Sequence, residues 1–241
     1  MTLIVGIILP NGILMVSDSR AQIENKEEVQ SEYTRKINII TPTNILGSAG
    51  FEPTLYTSQI LRKTLFLKNE KLTTEEKQAF ILKLYEHVNL LHLFKRDFKE
   101  PLGHILLGEL NSDEGTYTLL SNYGEDGFKN FKIHNKVKDT VVIGAYSQLR
   151  DTVKKQIQDI LDTISEENLN RKDIHSTIAL ECHKIFKEHA AYYDGINDKL
   201  YCVHLSTIEN DPSAVFYFLE SDGSVHFIDK TQDGVEISYT E

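Results

Sequence analysis

The sequence predicts an α+β fold: a four-layer αββα sandwich with two mostly antiparallel sheets inside and one helix pair on each outer face. Three observations lead there. Strand-like and helix-like segments come in blocks, in the order strands, two helices, strands, two helices, strands. No strict βα alternation runs along the chain, which disfavours a parallel doubly wound sheet. Neither linker composition nor a solenoid-length repeat interrupts residues 1–241, so the chain reads as a single domain.

Thr2 to Leu9 is apolar and rich in β-branched residues, Pro10-Asn11-Gly12 makes a turn, and Ile13 to Val16 resumes the strand, so the chain opens on a hairpin. Residues 19–34 carry charges of both signs and suit a loop or an extended excursion. Lys36 to Thr41 and Ile45 to Gly50 form a second hairpin around Pro42-Thr43-Asn44. A helix over Thr54 to Leu67 follows, with Leu55, Ile60, Leu61 and Leu65 apolar. A longer helix over Thr73 to Phe98 starts on Thr73-Thr74-Glu75-Glu76, a capping residue with an acidic first turn. Its apolar face is read as Phe80, Leu84, Val88, Leu91 and Phe94, which recur at helical period. Strands return at Ile105 to Leu110, Tyr117 to Ser121, Phe128 to Ile133 and Thr140 to Ile143, between Asp/Gly/Asn turns. A second helix pair covers roughly 147–162 and 170–192. Leu200 to Leu205, Val215 to Leu219 and Val225 to Ile228 close the chain as strands.

Composition bounds the partners. At 241 residues the chain can bury a core without staples. The formal net charge of −10 argues against nucleic acid or an anionic membrane as a partner, since both reward clustered Lys and Arg. Cys182 and Cys202 make no disulfide framework and no metal-spaced pair, which favours a reducing compartment. The apolar N-terminus lacks a basic region and is cut by Pro10-Asn11-Gly12, so it is not read as a signal peptide. No eighteen-residue apolar run occurs. The expectation is a cytoplasmic protein. His175, His183 and His189, and likewise His87 and His92, are spaced wrongly for one-face ligation, so no metal site and no cofactor are expected.

Four motifs in order carry the chemistry: Thr2-Leu3-Ile4-Val5-Gly6, Ser17-Asp18-Ser19-Arg20-Ala21, Arg35-Lys36-Ile37 and Gly47-Ser48-Ala49-Gly50-Phe51. Together they resemble the catalytic half of a proteasome β-type subunit, a family of N-terminal-nucleophile hydrolases that includes bacterial ring proteases. Leu106 to Leu110, Asp113-Glu114-Gly115 and Tyr123-Gly124 resemble that family's central hairpin. Tyr193-Asp194-Gly195 followed by Leu200 to Val203 resembles its last helix-to-strand junction. Between Asp18 and Lys36 the chain carries about two extra residues. Where active members have a Gly-Ser-Gly turn, it reads Gly144-Ala145-Tyr146, and Asn197-Asp198 stands in place of a serine and a glycine.

The resemblance implies that Thr2, freed by removal of Met1, is the nucleophile. A threonine hydroxyl needs a base. An unperturbed α-amino group titrates at about pH 7.7–8.0, so an N-terminal threonine carries its own. Lys36, expected within reach of both the Thr2 hydroxyl and Asp18, would depress the amine's pKa. Asp18 would hold Lys36 charged, and Gly50 would turn its N–H toward an oxyanion. Asp194 is the supporting acid. The pocket before the cut bond would be lined by Ala21, Thr34, Ser48 and Glu52. With Ser48 small and Glu52 acidic, it would favour a basic side chain, unless Glu52 faces solvent at the start of its helix. The function implied is a threonine endopeptidase acting on peptides or unfolded proteins inside a homo-oligomeric ring, with a possible ATPase partner. Two alternatives stay open: a catalytically silent subunit that builds or gates an assembly, and an amidohydrolase acting on a small amide.

Overall fold

The computed structural model describes residues 1–23, 28–66, 71–95 and 100–228. The opening hairpin forms as β1 (Leu3–Leu9) and β2 (Gly12–Asp18), every residue of both strands being buried. Alternate side chains of β1 enter two different cores: Leu3, Val5, Ile7 and Leu9 join one, Ile4 and Ile8 the other. Burial on both faces explains why this segment is a continuous apolar run rather than an alternating one.

The strands β3 (Ala21–Gln22), β4 (Val29–Ser31), β5 (Ile37–Thr41) and β6 (Asn44–Gly50) come before the helices α1 (Glu52–Leu65) and α2 (Thr74–Lys95). Next come β7 (Gly103–Asn111), β8 (Thr116–Asn122), β9 (Lys132–His134) and β10 (Thr140–Gly144). They are followed by α3 (Ser147–Thr163), α4 (Glu166–Leu169) and α5 (Ile174–Ala190), then β11 (Leu200–Ile208), β12 (Asp211–Leu219) and β13 (Val225–Phe227). A six-stranded sheet has the order β10-β1-β2-β11-β12-β13, a five-stranded sheet the order β5-β6-β7-β8-β9, and β3 pairs with β4 alone. Every pairing is antiparallel.

The fold class expected from the sequence is corrected here. The described residues form a mixed architecture of three antiparallel sheets and five helices, not a four-layer αββα sandwich of two sheets flanked by helix pairs. Two local reasons are visible. The polar stretch after β2 pairs with itself as β3 and β4, because Thr34 N–H and Ile23 N–H donate to Ser19 and Glu28 carbonyls and fold the excursion back. The helix expected over 170–192 is shortened, since Ser165 caps α4 through the Asn168 N–H and Arg171 pairs with Asp173 just before α5 begins.

Three buried clusters hold these elements. One joins Leu3, Val5 and Val16 to Val153, Ile157, Ile178 and Phe186. A second joins Ile4, Met15 and Val203 to Ile45, Leu106 and Leu119. A third joins Leu46, Leu107 and Leu120 to Leu61, Ile81 and Tyr85.

Further corrections concern which face is buried. α2 turns Ile81, Tyr85, Asn89 and His92 inward, while Phe80 and Leu91 are exposed and Phe94 is 89% exposed. Polar anchoring explains the rotation: the Tyr85 hydroxyl donates to the Thr54 carbonyl and meets Ser48 Oγ, and Asn89 Oδ1 accepts the Leu102 N–H at 2.7 Å. α1 begins at Glu52, two residues early, and leaves Ile60 exposed. Phe128 belongs to no strand. It sits at φ 67 in a turn whose N–H groups at Phe128, Lys129 and Asn130 all donate to the Asp126 carboxylate, and its ring is buried against Tyr85. The expected ends at Leu67 and Phe98 lie outside the described residues.

Candidate functional site

The site gathers where β1 starts and β2 ends. Thr2 immediately precedes β1, and its carbonyl accepts the Ala145 N–H at 2.7 Å. Asp18, the last residue of β2, is fully buried. Its Oδ1 accepts the Leu3 N–H at 2.8 Å, and its Oδ2 accepts the Arg20 N–H at 3.2 Å and the Lys36 ammonium at 2.7 Å. The Lys36 side chain is 5% exposed. The expected motifs thus meet in space, Asp18 and Lys36 as a buried ion pair one residue from Thr2.

Burial pushes the Asp18 carboxyl up and the Lys36 ammonium down, and the contact between them opposes both shifts. The Met1 amine belongs to the same electrostatic neighbourhood. Burial lowers its pKa, the Lys36 charge lowers it further, and Asp18 opposes. That amine donates to Gln22 Oε1 at 3.3 Å, and Met1 lies on Gly195 so closely that a Cβ there would come within 2.4 Å of Met1 Cβ.

Some expected members stand elsewhere. Among the described residues no hydrogen bond joins Lys36 Nζ to the Thr2 hydroxyl; the ammonium is directed to Asp18. The Asp194 side chain is exposed, and what reaches this region is its carbonyl, which accepts Arg20 Nη1 at 2.8 Å and Gln22 Nε2 at 3.4 Å. Ser147, next to the Gly144-Ala145-Tyr146 segment, is exposed at the start of α3. Gly50 ends β6 at φ 135, opposite Gly103, whose Cα would lie 2.5 Å from an added Cβ. A side chain there collides with backbone, so glycine is required.

The expected pocket residues divide. Thr34 and Ser48 are buried and Ala21 half-buried, but the Ser48 hydroxyl is engaged by Tyr85 at 3.1 Å. Glu52 is exposed in the first turn of α1 and accepts the Tyr56 hydroxyl at 2.9 Å. That is the solvent-facing alternative for Glu52, chosen because a carboxylate one turn before a tyrosine on an open helix face meets it at i,i+4 spacing.

Further side chains join the site, among them Asn197, which stands in place of the family's serine. Asn197 Oδ1 accepts the Ser19 N–H at 3.0 Å, and its Nδ2 donates to Glu32, which pairs with Arg20 at 3.0 Å. His104 Nδ1 accepts the Gly144 N–H at 3.0 Å, and Arg150 Nη1 donates to the carbonyls of Gly144 and Ala145 at 2.9 and 2.7 Å. His104 and Arg150 escaped the sequence reading, since no local pattern ties an imidazole in β7 or a guanidinium in the first turn of α3 to this turn.

Among the described residues no group of three or more His, Cys, Asp or Glu could hold a metal ion. Likewise, no helix there is long and apolar enough to cross a membrane. What the arrangement can do is keep an ammonium and a carboxylate, both largely out of water, against the first residues of the chain, where an exposed amine and hydroxyl would feel them. No family model matches the chain, and no curated protein matches it in sequence.

Proposed function

We propose that the chain is an N-terminal-nucleophile hydrolase that cleaves amide bonds of peptides through the Thr2 hydroxyl once Met1 is removed, in the manner of proteasome β-type peptidases. The observation that carries the reading is the buried Lys36–Asp18 pair at 2.7 Å, set beside the chain start and coupled to the terminal amine. A buried ion pair is weak evidence for stability, because desolvation offsets most of the attraction. Its position against the first residues of the chain, where a freed Thr2 amine would serve as base to the neighbouring hydroxyl, gives it a chemical use.

In the proposed reaction the Thr2 oxygen bonds to the substrate carbonyl carbon and its proton passes to the Thr2 amine. Burial and then the Lys36 charge lower the pKa of an amine in this place and so favour its neutral, proton-accepting form. The Gly50 N–H is the candidate donor to the oxyanion. Collapse breaks the C–N bond, the amine's proton goes to the leaving nitrogen, and water then releases the acyl group from Thr2. Enclosure of the site in a homo-oligomeric ring in the cytoplasm, fed by an ATPase, belongs to the same proposal.

The decisive experiment uses protein whose intact mass shows Met1 absent, assayed on a fluorogenic peptide panel beside Thr2→Ala. Hydrolysis lost in Thr2→Ala, with the unfolding midpoint unchanged, supports the reading. Equal hydrolysis by both proteins removes it. A second reading, a silent assembly subunit, is favoured by Met1 seated on Gly195 and by Ala145 offering no hydroxyl near Thr2. It expects Met1 to be retained in the mature protein. Activity on small amides but not on peptides would point to the third class.

A further inference from the structure

The turn after β10 is held in an unfavourable backbone shape from two sides. Gly144 lies at φ 84 and Ala145 at φ 31, a region that an L-residue with a Cβ rarely enters. A Cβ on Gly144 would stand 2.0 Å from the Thr2 carbonyl oxygen, so this turn and Thr2 are in direct backbone contact. The contact ends in the hydrogen bond from Ala145 N–H to Thr2 O.

Two side chains that play no part in the reaction proposed above grip that turn. From the five-stranded sheet, His104 accepts the Gly144 N–H on Nδ1; from α3, Arg150 donates to the Gly144 and Ala145 carbonyls. Tyr123 lies between them. Its ring meets His104 edge-on at 5.2 Å, the Arg150 guanidinium lies 5.1 Å from its centroid, and its hydroxyl donates to the Val142 carbonyl. His104 also sits opposite Ala49 in the β6–β7 register, one position from Gly50. Burial and the Arg150 charge hold the His104 pKa down to about 4, so at neutral pH the ring is uncharged and Nδ1 is free to accept.

We infer that His104 and Arg150 are positioning residues: they clamp the Gly144–Ala145 turn, which in turn fixes the Thr2 backbone and so aims the Thr2 hydroxyl. The inference rests on the reading of Thr2 as the nucleophile. Misplacing a reacting group by about 1 Å costs on the order of 100-fold in rate. Loosening the turn should therefore appear in kcat, with KM little changed.

The test compares full-length protein lacking Met1 with His104→Leu, His104→Asn, Arg150→Met and Arg150→Lys. The readouts are kcat and KM on a fluorogenic peptide, acylation of Thr2 by a β-lactone, and amide hydrogen exchange over residues 143–146. His104→Leu and Arg150→Met should lose about 10- to 100-fold in kcat, with KM within about twofold. His104→Asn, whose side-chain oxygen can still accept from Gly144, should recover most of the loss, and exchange of the Ala145 amide should track kcat. Should His104→Leu fail to fold, Arg150→Met carries the test, with Arg150→Lys as its conservative partner: a three-donor ammonium can still reach the carbonyls and should recover part of the loss. Wild-type kcat in both truncations, with Thr2 still acylated, overturns the clamp and leaves the hydrolase reading standing. A loss that follows the melting temperature and is not recovered by asparagine makes the pair merely structural and also overturns it. If the wild type itself is not acylated at Thr2, the reading and the clamp fall together.

Discussion

Replacing Lys36 with methionine removes one charge of a pair in which neither partner has access to water, Lys36 being 5% and Asp18 0% exposed. At their separation of 2.7 Å and an effective dielectric of about 20, the attraction is about 6 kcal/mol. Removing both ions from water costs several kcal/mol each, so the intact pair roughly breaks even. The single substitution leaves the desolvation of Asp18 uncompensated except by the Leu3 and Arg20 N–H groups. The expected loss is about 3–5 kcal/mol, a large part of a typical total of about 5–15 kcal/mol.

The pH dependence follows from the sign of the Asp18 shift. Burial raises this carboxyl above its ordinary value, and deleting Lys36 takes away the largest opposing influence. In the variant the folded state therefore binds a proton more tightly than the unfolded chain. Its deficit should be smallest at acid pH and grow as pH rises through the folded Asp18 pKa. Urea unfolding of wild type, Lys36→Met, Asp18→Asn and the double variant at pH 5 and pH 8 measures this. The double variant should be less destabilised than the sum of the singles. A deficit below about 1 kcal/mol that does not change with pH would refute the argument that the pair is buried and coupled.

Other perturbations probe the remaining features. Gly144→Ala forces a Cβ to within 2.0 Å of the Thr2 carbonyl at φ 84, so it should destabilise by about 1–3 kcal/mol and abolish peptide hydrolysis; denaturant unfolding and the fluorogenic assay check it. His204 stacks on His175 with ring centroids 4.2 Å apart, and burial first, then the His175 charge, holds its pKa down to about 3. With the unfolded value at 6.5, the folded state gives up stability as pH falls below 6.5, by about 2 kcal/mol between pH 7 and pH 5, and His204→Leu should flatten that slope in unfolding measured across the range. Glu52 is exposed and bonded to Tyr56, so Glu52→Gln should leave the cleavage preference unchanged, and a drop in preference for Lys or Arg would restore the carboxylate to the pocket.

The hairpin of β1 and β2 was legible because two apolar runs flank the Pro10-Asn11-Gly12 turn, and a strand buried on both faces leaves such a run. The order of strand and helix blocks was legible for a similar reason, as turns and caps act locally. α2 shows the limit. Its sequence presents the expected stripe through Phe80, Leu84, Val88, Leu91 and Phe94 and a neighbouring one through Ile81 and Tyr85; Leu84 and Val88 still pack half-buried on the core, while the others of the first stripe are exposed. The buried stripe was selected by hydrogen bonds to Thr54, Ser48 and Leu102, residues on other elements whose approach no local pattern encodes. The expected sandwich failed on more local ground: β3 pairs with β4 within one polar excursion, and Arg171 meets Asp173 just before α5, contacts that apolar periodicity does not register.

At the site, the sequence by itself determined the residue types and their order: a hydroxyl at position 2, an acid closing the first hairpin, a lysine opening the second and a glycine ending it. Only the tertiary structure decided that the lysine is spent on the acid at 2.7 Å, that Asp194 contributes its carbonyl rather than its carboxylate, and that Glu52 lies in solvent. It alone brought His104 and Arg150 onto the turn that touches Thr2. The physical reason is range. Propensity and spacing act over a few residues of one element, whereas burial, desolvation and the direction of a charged side chain are set by whichever elements pack around it, 18 positions away for Asp18 and Lys36 and 174 for Arg20 and Asp194.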